Sequence, residues 1–201
     1  MSSKITHVAI PITGFRQRQR AQSGFDRAWE TSWRKRASAT CTVYQPIVWT
    51  TPAKPILEQL ERWEAEHLFI WAFSHGQALA MELARLAPKY GIKSIRMALC
   101  DPVGRNPILP RWDWIQALSA RSMTPWMRIR IPATVERVAW ARQRENRPMA
   151  HDLVWSDGTD VLPAVEIPVT HSEIQWAGSW LRLADSELDL WLLETSPIYE
   201  P

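Results

Sequence analysis

Apolar positions along this chain switch repeatedly between a period of two and a period near 3.6. Lys4–Ile12 alternates, with Val8, Ile10 and Ile12 in step, and ends at Thr13-Gly14, which predicts a strand. The polar, Arg-rich stretch from Arg16 to Ala37 predicts a helix weakened in its middle by Gly24. Thr40–Trp49 is rich in β-branched and aromatic residues and predicts a second strand. Lys54–Glu66 carries Ile56, Leu57, Leu60 and Trp63 at helical spacing. His67–Phe73 is a short, continuous apolar run, the signature of a strand buried on both faces, and Ser94–Cys100 reads as another buried strand. Between them Gln77–Ala87 reads as an amphipathic helix stopped by Pro88.

The pattern then loosens. The Pro-rich segment 104–132 is expected to hold one helix around Asp113–Arg121. Val135–Gln143 predicts a strand, Asp152–Ile167 one or two more around the turn at Asp157-Gly158, and Ser172–Leu183 and Ser186–Glu194 two helices. Strands alternating with helices predict an α/β fold, a three-layer α/β/α sandwich with a mostly parallel sheet. In such sheets chemistry gathers at the carboxyl ends of the strands.

Composition narrows the picture. With 201 residues, 46% of them hydrophobic and 22% charged, residues 1–201 are expected to form a single globular domain. Cys41 and Cys100, both in apolar surroundings, are expected to be buried free thiols of a reducing compartment. The sequence has neither a membrane-length apolar run nor a secretory leader, so a cytoplasmic location is expected. Charge is uneven: residues 1–40 carry eight Lys/Arg against Asp26 and Glu30, whereas 151–201 carry ten Asp/Glu against Arg182. No nucleic-acid motif accompanies the basic segment, so a solvated face is the expected reading. The thirteen tryptophans show no repeat period, and most are expected in the core. No metal-ligand spacing or phosphate-cradling glycine loop occurs, so neither metal nor other cofactor is expected.

Candidate chemistry lies where the strands end. Trp71-Ala72-Phe73-Ser74-His75-Gly76 runs from a buried strand into a helix, with the small residues Ala72 and Gly76 two before and two after Ser74. A turn this tight is expected to lift the serine hydroxyl clear of the sheet, and the reading requires that hydroxyl to be reachable. A serine needs a base, and the base needs an orienting carboxylate. Asp101 ends the strand after the elbow, on the same edge. His171 lies in a loop before the terminal helix. His7 and His67 stand at strand starts, His75 should point away, and His151 is the remaining rival.

These segments resemble the α/β-hydrolase superfamily and its lipase-like members. Ala72–Gly76 is similar to the nucleophile elbow, Leu99-Cys100-Asp101-Pro102-Val103 to an acid-bearing segment of some lipases, and His171-Ser172-Glu173-Ile174 to the late histidine loop. The resemblance implies a reduced α/β-hydrolase fold and a serine esterase with Ser74, Asp101 and His171 as its triad. Most superfamily members carry the acid one strand later, so Glu145, Asp157 and Asp160 stand as alternatives. In the place of the family's His-Gly-x segment stands Thr13-Gly14-Phe15, which makes the backbone N–H groups of Phe15 and His75 the expected oxyanion donors. Residues 105–132 fall where relatives insert a lid, and Trp112 and Trp126 are expected to line a pocket for a small-molecule or lipid-like ester. A catalytically inactive binding protein using the basic N-terminal face and an acyltransferase are the other expectations carried forward.

Overall fold

The computed structural model describes residues 4–14, 23–104, 128–145 and 150–195. The strands are β1 (His7–Thr13), β2 (Cys41–Val43), β3 (Ile47–Val48), β4 (His67–Phe73), β5 (Ser94–Cys100), β6 (Arg128–Arg130), β7 (Arg137–Arg142), β8 (Asp152–Val154), β9 (Asp160–Val161) and β10 (Val165–Glu166). The α-helices are α1 (Gly24–Thr31), α2 (Ala53–Arg62), α3 (Gly76–Leu86) and α4 (Gly178–Thr195).

Eight strands form one sheet, in the order β10-β7-β5-β4-β1-β2, with β3 also on β1 and β9 also on β7. Every pairing among the described strands is parallel. The alternation of side chains sorts the strand residues into two cores. Val8, Ile10 and Ile12 of β1, Leu68, Ile70 and Ala72 of β4, and Ile95, Met97 and Leu99 of β5 pack with Leu57 and Leu60 of α2 and Leu79 and Leu83 of α3. The opposite face presents Ala9, Phe69, Trp71, Phe73, Ala98 and Cys100 to Phe25 of α1 and to Trp180, Leu188 and Trp191 of α4. The result is three layers, α2 and α3 on one side of the sheet and α1 and α4 on the other. Leu68–Phe73 of β4 and Met97–Cys100 of β5 are continuously apolar because both of their faces are covered there.

Several tryptophans make the second core. Trp33 stacks on Trp71 with ring centroids 4.3 Å apart, and Phe69 meets Trp71 edge-on at 5.0 Å. Both cysteines are buried free thiols. Burial pushes the Cys41 thiol up to about 11, and burial followed by the Asp101 charge pushes Cys100 well above its ordinary value.

Some elements depart from expectation, each for a local reason. The N-terminal helix begins at Gly24 rather than running through it. Ser23 caps it, accepting from the Asp26 N–H, while Asp26 reaches back to the Ser23 N–H at 2.7 Å, a capping box. A 3-10 turn, Trp33–Arg36, follows; residues 16–22 lie outside the described part. The expected strand Thr40–Trp49 is two short strands separated at Gln45-Pro46. The two expected C-terminal helices are one, α4, preceded by a 3-10 turn at Ile174–Trp176. Asp185 does not break it, because its carboxylate points outward to accept from Trp33 Nε1 at 3.0 Å and Ser32 Oγ at 3.2 Å. Asp152–Ile167 holds three short strands, and β6 pairs with β8 in a separate two-stranded sheet that the sequence pattern did not announce. The helix expected at Asp113–Arg121 lies outside the described residues, as does nearly all of the expected lid, 105–132. No described helix is long and apolar enough to cross a membrane.

Candidate active site

Because β4, β5, β7 and β10 are parallel neighbours, the residues that follow them emerge on one edge of the sheet. Ser74 follows β4, Asp101 follows β5, Gln143 follows β7, and the loop carrying His171 follows β10. Residues separated by up to 97 positions meet there. The Ser74 Oγ lies 2.9 Å from His171 Nε2, and His171 Nδ1 hydrogen-bonds Asp101 Oδ2. With Nδ1–H donated to the carboxylate, Nε2 is left as an acceptor for the serine proton.

The turn at Ser74 is strained. Its φ is +52°, in the left-handed region that a side chain makes costly, and Asp101 at φ +44° shares the feature. Close backbone approach holds the turn. A Cβ on Gly76 would stand 2.6 Å from the Ile12 carbonyl oxygen, and one on Gly14 would stand 2.8 Å from Ser74 Cβ. Only glycine lets the end of β1 and the start of α3 come this near to the elbow. Ala72, fully buried, lies between Ile12 of β1 and Leu99 of β5 in the central strand.

The loop after β5 is tied directly to that turn. The Ser74 N–H donates to the Cys100 carbonyl at 2.9 Å, the Val103 N–H donates to the Ser74 carbonyl at 3.1 Å, and Gln77 Nε2 donates to the Val103 carbonyl at 3.0 Å. Asp101 itself is fully buried, a costly position for a carboxylate without donors. Its donors are His171 and Gln143, whose backbone N–H reaches Oδ1 at 3.0 Å and whose Nε2 reaches Oδ2 at 3.1 Å. Gln143 carried no signal in the sequence beyond its place at the end of a predicted strand.

His171 is held by its own loop and by an aromatic neighbour. Thr170 N–H donates to Glu173 Oε2 at 3.0 Å, and the Glu173 and Ile174 N–H groups return to the Thr170 carbonyl. The Thr170 hydroxyl, which also donates to Glu173 Oε2, and then the Thr170 N–H keep the Glu173 carboxyl below its ordinary range. Phe73 stacks on the imidazole with centroids 5.0 Å apart. The start of α1 backs the loop, with the Gly24 N–H donating to Gln175 Oε1 at 3.1 Å.

The rivals go elsewhere. His151 accepts the Gly104 N–H on its Nδ1 at 2.6 Å and donates its backbone N–H to the Pro102 carbonyl, so it pins the Asp101 loop. His7 and His67 stack on each other at the amino edge of the sheet, with centroids 4.5 Å apart. His75 lies against Trp49. Asp160 pairs with Arg137, and Asp157 and Glu145 are exposed. Among the described residues no group of His, Cys, Asp and Glu is arranged to hold a metal ion.

One expectation needs correction. Ser74 is only 1% exposed and the His171 side chain 14%, so the hydroxyl does not stand clear of its surroundings. It is tucked beneath the imidazole that bonds it and against Gly14. Of the expected oxyanion donors, His75 stands at the amino end of α3, where the helix dipole is positive, and Phe15 lies outside the described residues. Trp112 and Trp126 also lie outside them. No protein-family model matches this chain, and a search of curated proteins finds no match.

Proposed function

We propose that this protein is a serine hydrolase that cleaves an ester-like bond through a covalent acyl-enzyme. The observation that carries the reading is the continuous hydrogen-bonded line from Ser74 Oγ through His171 to a fully buried Asp101, built on a strained strand-to-helix turn. A structural serine cap needs neither the imidazole nor the carboxylate behind it.

In the proposed reaction Ser74 Oγ attacks the ester carbonyl while His171 Nε2 takes its proton. Asp101 keeps the imidazole in the tautomer with a proton on Nδ1 and stabilises the imidazolium that forms. The His75 N–H, at the positive end of α3, donates to the carbonyl oxygen as its negative charge develops, with a second donor expected from Phe15. The imidazolium then returns its proton to the leaving alkoxide. Water, deprotonated by the same His171, attacks the acyl group and releases the acid and the serine. Since Ser74 is covered, substrate entry requires its neighbours to part.

Hydrolysis of p-nitrophenyl acetate by the whole chain tests the reading. Ser74→Ala and His171→Ala should each lower kcat by ~10³-fold or more, with the urea midpoint near that of the parent. Turnover that persists in Ser74→Ala refutes it.

A further inference from the structure

We infer that Gln143 is a positioning residue, a two-point clamp that holds the plane of the Asp101 carboxylate behind His171; the inference rests on the hydrolase reading of Ser74. One residue supplies donors to both oxygens, its backbone N–H to Oδ1 at 3.0 Å and its side-chain Nε2 to Oδ2 at 3.1 Å. Rotation of the carboxylate about its own bond would break one or both. Oδ2 is also the atom that receives the proton of His171 Nδ1, so the clamp acts on the oxygen that orients the base. The amide nitrogen must face the carboxylate, because Oε1 has no proton to give.

The sheet register delivers this geometry. Cys100 pairs with Ala141, and the Asp101 N–H donates to the Ala141 carbonyl at 2.7 Å. One step further in this register Asp101 stands beside Arg142, the last residue of β7, and its Oδ1 takes the N–H of the next residue, Gln143. Gln143 is itself only 1% exposed, and burying an amide there is costly unless it serves a partner.

A neutral donor suits the task. Asp101 is fully buried, and a carboxylate there is costly without hydrogen-bond donors. An arginine or lysine in this place would supply them, but its charge would compete with the imidazolium for the carboxylate. Glutamine satisfies the oxygen and leaves the negative charge for His171. Each donor still draws basicity from the carboxylate. Removing Nε2 therefore leaves more of the Asp101 charge to act on the imidazolium, while the freed carboxylate orients the ring less well. Besides His171, the Asp101 charge acts on His151, bonded to Gly104, and on Cys100, whose thiol stays protonated.

The test is the second-order rate at which a fluorophosphonate probe labels Ser74 in the full chain, measured from pH 5 to 9. Gln143→Met should lower the plateau rate by about 10-fold, the small end of the range for outer partners of an active group. It should also move the acid limb of labelling upward. Gln143→Asn keeps a neutral amide but draws it back from Oδ2 by one methylene, and its limb should move in the same direction. That variant keeps the test decisive if Gln143→Met does not fold. The same shifts should appear in a His151→Gln background, which removes the other imidazole on which the Asp101 charge acts. Variants that label at the parental rate with the parental limb overturn the clamp, as does a lower plateau with an unmoved limb. Failure of the parent itself to label at Ser74 overturns the hydrolase reading instead.

Discussion

Gly76→Ala should cost much more activity than stability. The added Cβ would stand 2.6 Å from the Ile12 carbonyl oxygen, about 0.8 Å short of the 3.4 Å at which ordinary contact begins, and 3.2 Å from Ile12 C and Cγ2. The obstacle is backbone in the middle of a parallel sheet, where Ile12 is paired to Ala72 of β4 and Ile47 of β3, so it does not swing aside as a side chain would. Overpacking of this kind costs ~1–3 kcal/mol, against a gain of up to ~1 kcal/mol from replacing a helical glycine by alanine. The net loss of stability should be about 1–2 kcal/mol. The easier adjustment is for the first turn of α3 to back away, and Ser74 sits two residues before it. The Ser74 Oγ to His171 Nε2 separation of 2.9 Å then opens beyond hydrogen-bond reach. Misplacement approaching 1 Å costs on the order of 10²-fold in rate.

The assay pairs the urea midpoint with the rate of Ser74 labelling. Gly158→Ala is the control. Gly158 has φ +99° with open space around it, in a turn away from Ser74, so that change should strain the backbone by ~1 kcal/mol and leave labelling unaltered. Labelling of Gly76→Ala at the parental rate would refute the argument that close approach at this glycine sets the position of the serine.

Three histidines predict acid sensitivity. Burial is the first cause holding His7, His67 and His151 below the ordinary value of 6.5, with the charge of His67 adding to the effect on His7. A histidine that resists protonation when folded lets the unfolded chain bind protons first, so stability should be complete above about pH 6.5 and decline as pH falls toward the folded values. Urea midpoints between pH 8 and 5 check this, and a midpoint that rises on acidification contradicts it. Trp71→Ala removes the fully buried ring on which Trp33 stacks and should cost ~3–5 kcal/mol by urea denaturation, because a cavity between β4 and α4 cannot close. Ser23→Ala, which removes the cap of α1 at the back of the His171 loop, should cost ~1 kcal/mol by the same measurement.

What could be read from the sequence follows from where each signal resides. β4 and β5 were legible to the residue, because central strands covered on both faces are mostly apolar and are sharply bounded by polar turns. The tight turn at Ser74 was legible because small residues stand two before and two after a serine that joins such a strand to a helix. The start of α1 was missed although Ser23 and Asp26 spelled its capping box, since the surrounding arginines gave a longer polar pattern. Asp185 and Ser186 suggested a break in α4 that tertiary structure removes by giving the carboxylate partners on the 3-10 turn after α1. β6, three residues with only Ile129 buried, is too short for any periodicity to show. Gln143 was invisible for a different reason. A neutral amide has no motif, and its importance comes only from the register that sets β7 beside β5. The burial of Ser74 was equally beyond reach, because it depends on what closes over the sheet edge rather than on the elbow itself.

Mass-spectrometric mapping of the residue modified by a fluorophosphonate probe puts the central proposal to its most direct trial. A single adduct on Ser74, lost in His171→Ala with folding intact, is the result expected of a serine made nucleophilic by its imidazole. An unmodified Ser74 in the folded parent, or an adduct that forms equally fast without His171, would contradict it.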